Sequence, residues 1–120
     1  MRAEIISVGT ELLLGEIIDT NAAYLSQRLA GLGVDVHYRH TVGDNLDRLA
    51  DQVRQCLSRA DIVLLCGGLG PTEDDLTREG VALATGRALV SRPEVEQWLR
   101  DFFASRGRQI TPNNLRQAQA

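Results

Sequence analysis

The spacing of apolar residues changes several times along the chain, and each change marks an element. Ala3 to Val8 reads as a first short strand, closed by Gly9. The segment TELLLGEIIDTN that follows is rich in apolar residues but broken by Gly15, which predicts a partly buried loop. From Asn21 to Leu32, Ala22, Leu25, Leu29 and Leu32 recur at the three-and-four spacing of an amphipathic helix, with Thr20 expected to cap it and Gly33 to stop it. Val34 to Val42 alternates, placing Val34, Val36, Tyr38, His40 and Val42 on one face of a strand near the sheet edge. His37 and His40 then lie on opposite faces, which predicts two separate strand polars rather than a shared metal site. Leu46 to Arg59 is helical again, with Leu46, Leu49, Val53 and Leu57 inward.

Ile62 to Cys66 is an unbroken apolar run, the mark of a parallel strand buried on both faces. A helix from Leu76 to Thr85 ends at Gly86, and Ala88 to Val90 reads as a short extended piece. Pro93 opens a helix to Ser105, with Ser91 as its expected cap; its face of Val95, Trp98, Leu99, Phe102 and Phe103 predicts a core position for Trp98. A last helix starts near Thr111 and runs to the end of the chain. Strands alternating with helices predict one α/β domain over residues 1–120 with a mostly parallel sheet. So few strands leave helix faces under-covered, which predicts the front part of a longer domain.

Composition narrows the chemistry. A net charge of −3 with few aromatic residues gives no nucleic-acid footprint. All 13 cations are arginine, so a Schiff-base lysine and a P-loop lysine are both excluded. No apolar run approaches a membrane span and no leader pattern opens the chain, which predicts a cytoplasmic protein without a membrane partner. Cys56 and Cys66 lack ligand spacing and read as small core hydrophobes.

The stretch with the most chemistry is DIVLLCGGLGPTEDDLT. It joins the apolar strand to a glycine turn, Gly67, Gly68 and Gly70, and then to Thr72, Glu73, Asp74 and Asp75 ahead of a helix. Glycines allow backbone N–H groups to approach an oxyanion, and a helix start adds free donors. Three acids beside such a turn would repel a phosphate unless they cap the helix or a divalent metal lies between. Asp44 and Glu11 also follow strand ends, on the side where open α/β sheets bind ligands. If a metal resolves the conflict, Asp74 and Asp75 are expected to hold a hard divalent cation such as Mg²⁺, helped by Asp44 or Glu11. The Gly67 to Gly70 backbone would hold phosphate, and Thr10, Thr72 and Asn21 are candidates to orient a substrate. If the acids are caps alone, Asp74→Asn should cost about 1 kcal/mol and change no binding. The glycines lack GxGxxG spacing after a first strand, which excludes a dinucleotide fingerprint.

Taken together, GTELLLGEIIDTNAAYLSQRLA, VGDN, CGGLGPTEDDLT and RGRQITPNNLRQA resemble the amino-terminal domain of the CinA family, the competence/damage-inducible proteins, over nearly the whole chain. That domain is similar to the MoaB/MogA molybdopterin-binding domains. The resemblance implies a three-layer α/β/α fold, dimers or trimers, and metal-dependent hydrolysis of ADP-ribose-like compounds. Deamidation, the activity of a separate carboxyl-terminal domain in many members, is not predicted from this sequence. The GGTG turn and catalytic Asp of those relatives fall on Gly67, Gly68, Leu69, Gly70 and Asp75, and their second site Asp on Asp44. Leu69 replaces a threonine, and Glu73 and Asp74 replace residues that are commonly basic. These departures disfavour direct binding of a pterin phosphate and favour a metal-bridged pyrophosphate. The alternative is a binding module of molybdopterin type without catalysis of its own.

Overall fold

Residues 1–120, the whole chain, are described by a computed structural model. The elements are β1 (Arg2–Val8), α1 (Thr10–Leu13), α2 (Thr20–Gly31), β2 (Asp35–Val42), α3 (Leu46–Leu57), β3 (Ile62–Cys66), α4 (Thr77–Thr85), α5 (Pro93–Ser105) and α6 (Pro112–Leu115), with a 3₁₀ turn at Arg116–Ala118. The three strands form one parallel sheet in the order β2-β1-β3. Parallel neighbours need crossover connections, and α2 and α3 supply them on opposite faces. Ala3 and Ile5 of β1 pack with Ala22 and Leu29 of α2, whereas Ile6 and Val8 pack with Leu49, Val53 and Cys56 of α3. The period-two alternation of β1 thus serves two cores, giving the three-layer α/β/α arrangement. Helix α4 lies against α3, where a side chain at Gly80 would strike Leu49. No helix is long and apolar enough to cross a membrane.

Several elements differ from expectation for identifiable reasons. Only β1 is buried throughout its length beyond Arg2; Ile62 to Cys66 are all half-buried because β3 lies at a sheet edge. In β2 the pairing shifts so that Ala3 faces Val36 and Glu4 faces Tyr38, leaving His37 as an extra residue. That bulge breaks the alternation. Val34 and Val36 pack against the α2 core, while Val42 joins the α3 core and His40 meets Glu4.

Asp19, not Thr20, caps α2 by accepting from the Ala22 N–H at 3.0 Å, and Asn45 caps α3 by accepting from the Arg48 N–H at 3.0 Å. Helix α3 stops at Leu57, which is exposed, and Ala50 and Cys56 complete its buried face. Residues 10–18 form one short helical turn and a loop on the surface, with Leu13, Leu14, Ile17 and Ile18 more than half exposed. The wide apolar face of α5 buries Leu99 alone; Trp98 is 60% exposed and stacks on Phe102 at 5.4 Å. The chain does not end in a helix. Val90 and Ala120 exchange backbone hydrogen bonds, and Ser91 bridges Gln119 in antiparallel fashion.

Candidate functional site

The carboxyl ends of β1 and β3 are neighbours, and their connections leave toward opposite faces of the sheet, β1 toward α2 and β3 toward α4. Such a divergence opens a crevice at the strand ends. A cleft of about 170 Å³ lies there, lined among others by Val8, Glu11, Ile17, Asn21, Cys66 and Gly67. Burial pushes the Cys66 thiol up, as it does that of Cys56, so neither cysteine is primed as a nucleophile. The Glu11 carboxylate has no hydrogen-bond partner in the chain and covers Gly9.

The glycine turn is fixed by its surroundings. Gly67 has φ +90° and Gly68 φ +65°; a Cβ at the first would strike the Val8 carbonyl and at the second the Thr77 hydroxyl. Thr77, buried at the start of α4, donates its hydroxyl to the Gly67 carbonyl at 2.6 Å and its N–H to Gly68 at 3.2 Å. Arg78 donates to the carbonyls of Leu69 at 2.8 Å and Gly70 at 3.1 Å, and Gln117 donates to Leu69 at 3.3 Å. Arg116 donates to the Thr72 carbonyl at 2.8 Å and to Glu79 at 3.0 Å, tying α6 and its 3₁₀ extension to the turn. The turn's acceptors are therefore occupied. The N–H groups of Gly67, Gly68 and Leu69 donate to nothing in the chain.

The acids differ from one another. Helix α4 begins at Thr77 with no side-chain cap, so neither Thr72 nor Asp74 caps it. Asp75 instead closes the turn ahead of the helix. Its Oδ2 accepts from the Thr72 N–H at 2.9 Å and the Thr72 hydroxyl at 2.6 Å, and lies against Gly70. The Thr72 hydroxyl above all holds the Asp75 carboxyl below the usual range, with help from the Thr72 and Gly70 N–H groups and the Arg78 charge. Glu73 and Asp74 are exposed and make no hydrogen bond or ion pair. Asp44 accepts from the Thr10 hydroxyl at 3.1 Å while its own N–H donates to Thr10 Oγ1 at 3.1 Å, clasping the loops after β1 and β2 together.

Three potential metal-ligand atoms come within 4.8 Å of one another only at Glu4, His40 and Cys56. The structure therefore does not gather Glu11, Asp44, Asp74 and Asp75 into a cage. At Glu4 a cation is already in place: Arg59 donates to both carboxylate oxygens at 2.7 Å, and His40 Nε2 lies 2.7 Å from Oε1. The Arg59 hydrogen bonds, opposed by burial and aided by His40, lower the Glu4 carboxyl to about 2. His40 is thus partnered rather than a free strand polar. The sequence signal for this group is one acid in an otherwise apolar strand, AEIISV, on the same parity as Ile6 and Val8.

Residues 4–115 match the family described as the probable molybdopterin binding domain. A crystal structure of the protein CinA, of unknown function, from Thermoplasma acidophilum superposes with a TM-score of 0.92 and 34% identity, covering 99% of this chain and 70% of that one. The chain belongs to the CinA family. A putative competence-damage inducible protein of Halothermothrix orenii is 52% identical over 118 residues, which are 98% of this chain and 29% of that protein. The chain thus spans less than a third of the length of the curated CinA relatives it matches. The molybdopterin biosynthesis enzyme MoaB of Thermus thermophilus superposes with a TM-score of 0.64 at 25% identity, covering 82% of this chain and 62% of MoaB. The CinA domain described here therefore has a MoaB/MogA-like fold.

Proposed function

We propose that this CinA domain holds the pyrophosphate of a nucleotide such as ADP-ribose over its glycine turn and, with Mg²⁺ or Co²⁺, hydrolyses it. The observation that carries the reading is the division of the turn's polar groups: the carbonyls of residues 67–70 are held by Thr77, Arg78 and Gln117, while three consecutive N–H groups have no acceptor. Donors without competing acceptors form a concavity suited to phosphate. Asn21, in the first turn of the 12-residue α2, lines the cleft beside them, and that helix start favours negative charge.

The donor set suits a metal brought in on the substrate. Mg²⁺ commonly takes one or two carboxylates, keeps several waters and fills the rest of its shell with phosphate oxygens. Asp74 and Glu73, exposed and unpartnered, match that need better than Asp75, whose Oδ2 is engaged with Thr72. When bound, the metal would polarise phosphorus and acidify a coordinated water. Glu11, unpartnered at the cleft wall, is placed to accept a proton from an attacking water. Asp75 keeps the turn in its phosphate-binding shape, and the Thr10–Asp44 clasp ties the loops after β1 and β2 together. The exposed Leu13, Leu14, Ile17 and Ile18, of which the last two line the cleft, fit self-association as a dimer or trimer.

A second reading, binding of a phosphorylated ligand without catalysis, is favoured by the dispersal of the acids around the cleft. Titration calorimetry with ADP-ribose, in Mg²⁺ and in chelator, followed by an assay for AMP, separates the two. Binding that needs Mg²⁺ and is followed by AMP release supports hydrolysis. Metal-independent binding without AMP supports the second reading, and absence of binding to the folded chain rejects both.

A further inference from the structure

The segment RGRQITPNNLRQA contributes nothing to the lining of the strand-end crevice, yet it reaches the glycine turn through two side chains. Thr111 and Asn114 close a capping box that starts α6, and the 3₁₀ turn that follows opens with Arg116 and Gln117. Helices α5 and α6 and this 3₁₀ turn pack on one another and form an arm. Its grip falls on Thr72. Asp75 takes the Thr72 N–H and hydroxyl at 2.9 and 2.6 Å, and Arg116 donates to the Thr72 carbonyl at 2.8 Å. The exposed acids Glu73 and Asp74 follow Thr72 directly in the chain. Arg116 is in turn aimed by Glu79, whose Oε1 accepts from Nη2 at 3.0 Å while its Oε2 is buried without a donor. A carboxylate left half-satisfied is a poor stabiliser. What it supplies is direction, because a guanidinium is a planar fork and one arm on Glu79 fixes where the other points.

We infer that Arg116, aimed by Glu79, is a positioning residue: it fixes the segment from which Glu73 and Asp74 project, and so couples the α5–α6 arm to ligand binding at the glycine turn. The inference rests on the reading of that turn as a site for phosphate and metal. A turn flanked by glycines can rotate a peptide unit and exchange N–H for C=O on a given side, so its carbonyls need holders if its donors are to stay free. Thr77 and Arg78 hold them from α4, and Gln117 adds the arm's own bond to Leu69 at 3.3 Å. Neither α4 side chain reaches Thr72, so the acid-bearing end of the turn depends on Asp75 and Arg116.

Two readouts on the 120-residue chain test it: calorimetry with ADP-ribose in Mg²⁺, and backbone amide spectra without ligand. Arg116→Gln is expected to weaken ADP-ribose binding roughly tenfold and to shift or broaden the amides of Leu69 to Asp75, leaving those of β1 and α2 in place. Glu79→Gln should act in the same direction to a smaller extent, and it carries the test if Arg116→Gln does not fold. Trp98→Ala, on the exposed side of the same arm, should move neither readout. An Arg116→Gln chain with the parent's affinity would make Arg116 a fold contact alone and overturn the inference, whether or not the turn amides move. Equal losses in Trp98→Ala would overturn it as well, since any disturbance of the arm would then suffice. A parent chain that fails to bind ADP-ribose rejects the proposed ligand and leaves the amides to decide: disturbance confined to residues 69–75 in both variants sustains the positioning role, and unchanged turn amides overturn it.

Discussion

Glu4 and Asp74 are both carboxylates near strand segments of the same domain, and the chain uses them in opposite ways. Glu4 is 3% exposed, grips Arg59 through both oxygens and meets His40. Asp74 is exposed and touches nothing polar. A buried acid can persist only when its desolvation is offset by partners, and removing a partner leaves an expensive charge. An exposed acid without partners adds almost nothing to folding and is free to meet a ligand. The comparison sorts the acids into those that hold the fold and those available for chemistry, with Asp75 between them.

The largest effect should come from the buried end of that scale. Glu4→Gln leaves Arg59 and His40 without their counter-charge and should lower unfolding free energy by on the order of 3 kcal/mol in urea titration, leaving ADP-ribose affinity of the folded chain unchanged. The same group sets the acid limit. Its carboxyl titrates at about 2 when folded against an ordinary 4.5, so its contribution is complete above the ordinary value and is lost as pH falls through the folded one. Thermal melts between pH 5 and 2 should show that loss, and Glu4→Gln should flatten it.

Next in size is Gly68→Ala, which forces a side chain into positive φ and against Thr77. It should cost about 2 kcal/mol and abolish ADP-ribose binding in calorimetry. Asp75→Ala removes two hydrogen bonds to Thr72 and should cost about 1 kcal/mol by urea titration. Asp74→Asn should change stability by less than about 0.5 kcal/mol, yet weaken Mg²⁺-dependent ADP-ribose binding roughly tenfold. An Asp74→Asn chain with unaltered Mg²⁺-dependent affinity would remove the distinction drawn between exposed and buried acids.

Much of the layering is legible in the sequence because it depends on local period. The amphipathic spacing of residues 21–32 and 46–59 and the glycine punctuation at Gly33 and Gly86 mark elements that the structure contains, to within one or two residues at their ends. The features that escaped are nonlocal. An apolar run such as Ile62 to Cys66 reads the same whether its strand is central or at an edge, and only pairing with β1 decides. The bulge at His37 has no glycine or proline to announce it. Trp98 has the spacing of a core residue, but α5 packs chiefly on α6 and the 3₁₀ turn, so most of its apolar face meets solvent. At the site, the glycine turn and its acids were visible as a motif. Which of three adjacent acids is tied to Thr72 depends on the turn's exact geometry, and which arginine holds which carbonyl depends on residues up to 45 positions apart.

The placement of β1 also bears on how the chain is made. The central strand precedes its guanidinium partner along the chain, so Glu4 leaves the ribosome 55 residues ahead of Arg59. At elongation rates of about 5 to 20 residues per second that interval lasts roughly 3 to 11 s. During it the nascent strand has an acid without its guanidinium, and its edge toward β3 stays bare because β3 follows Arg59. That acid makes early, unpartnered burial of β1 costly, which would keep the segment soluble until its guanidinium partner arrives.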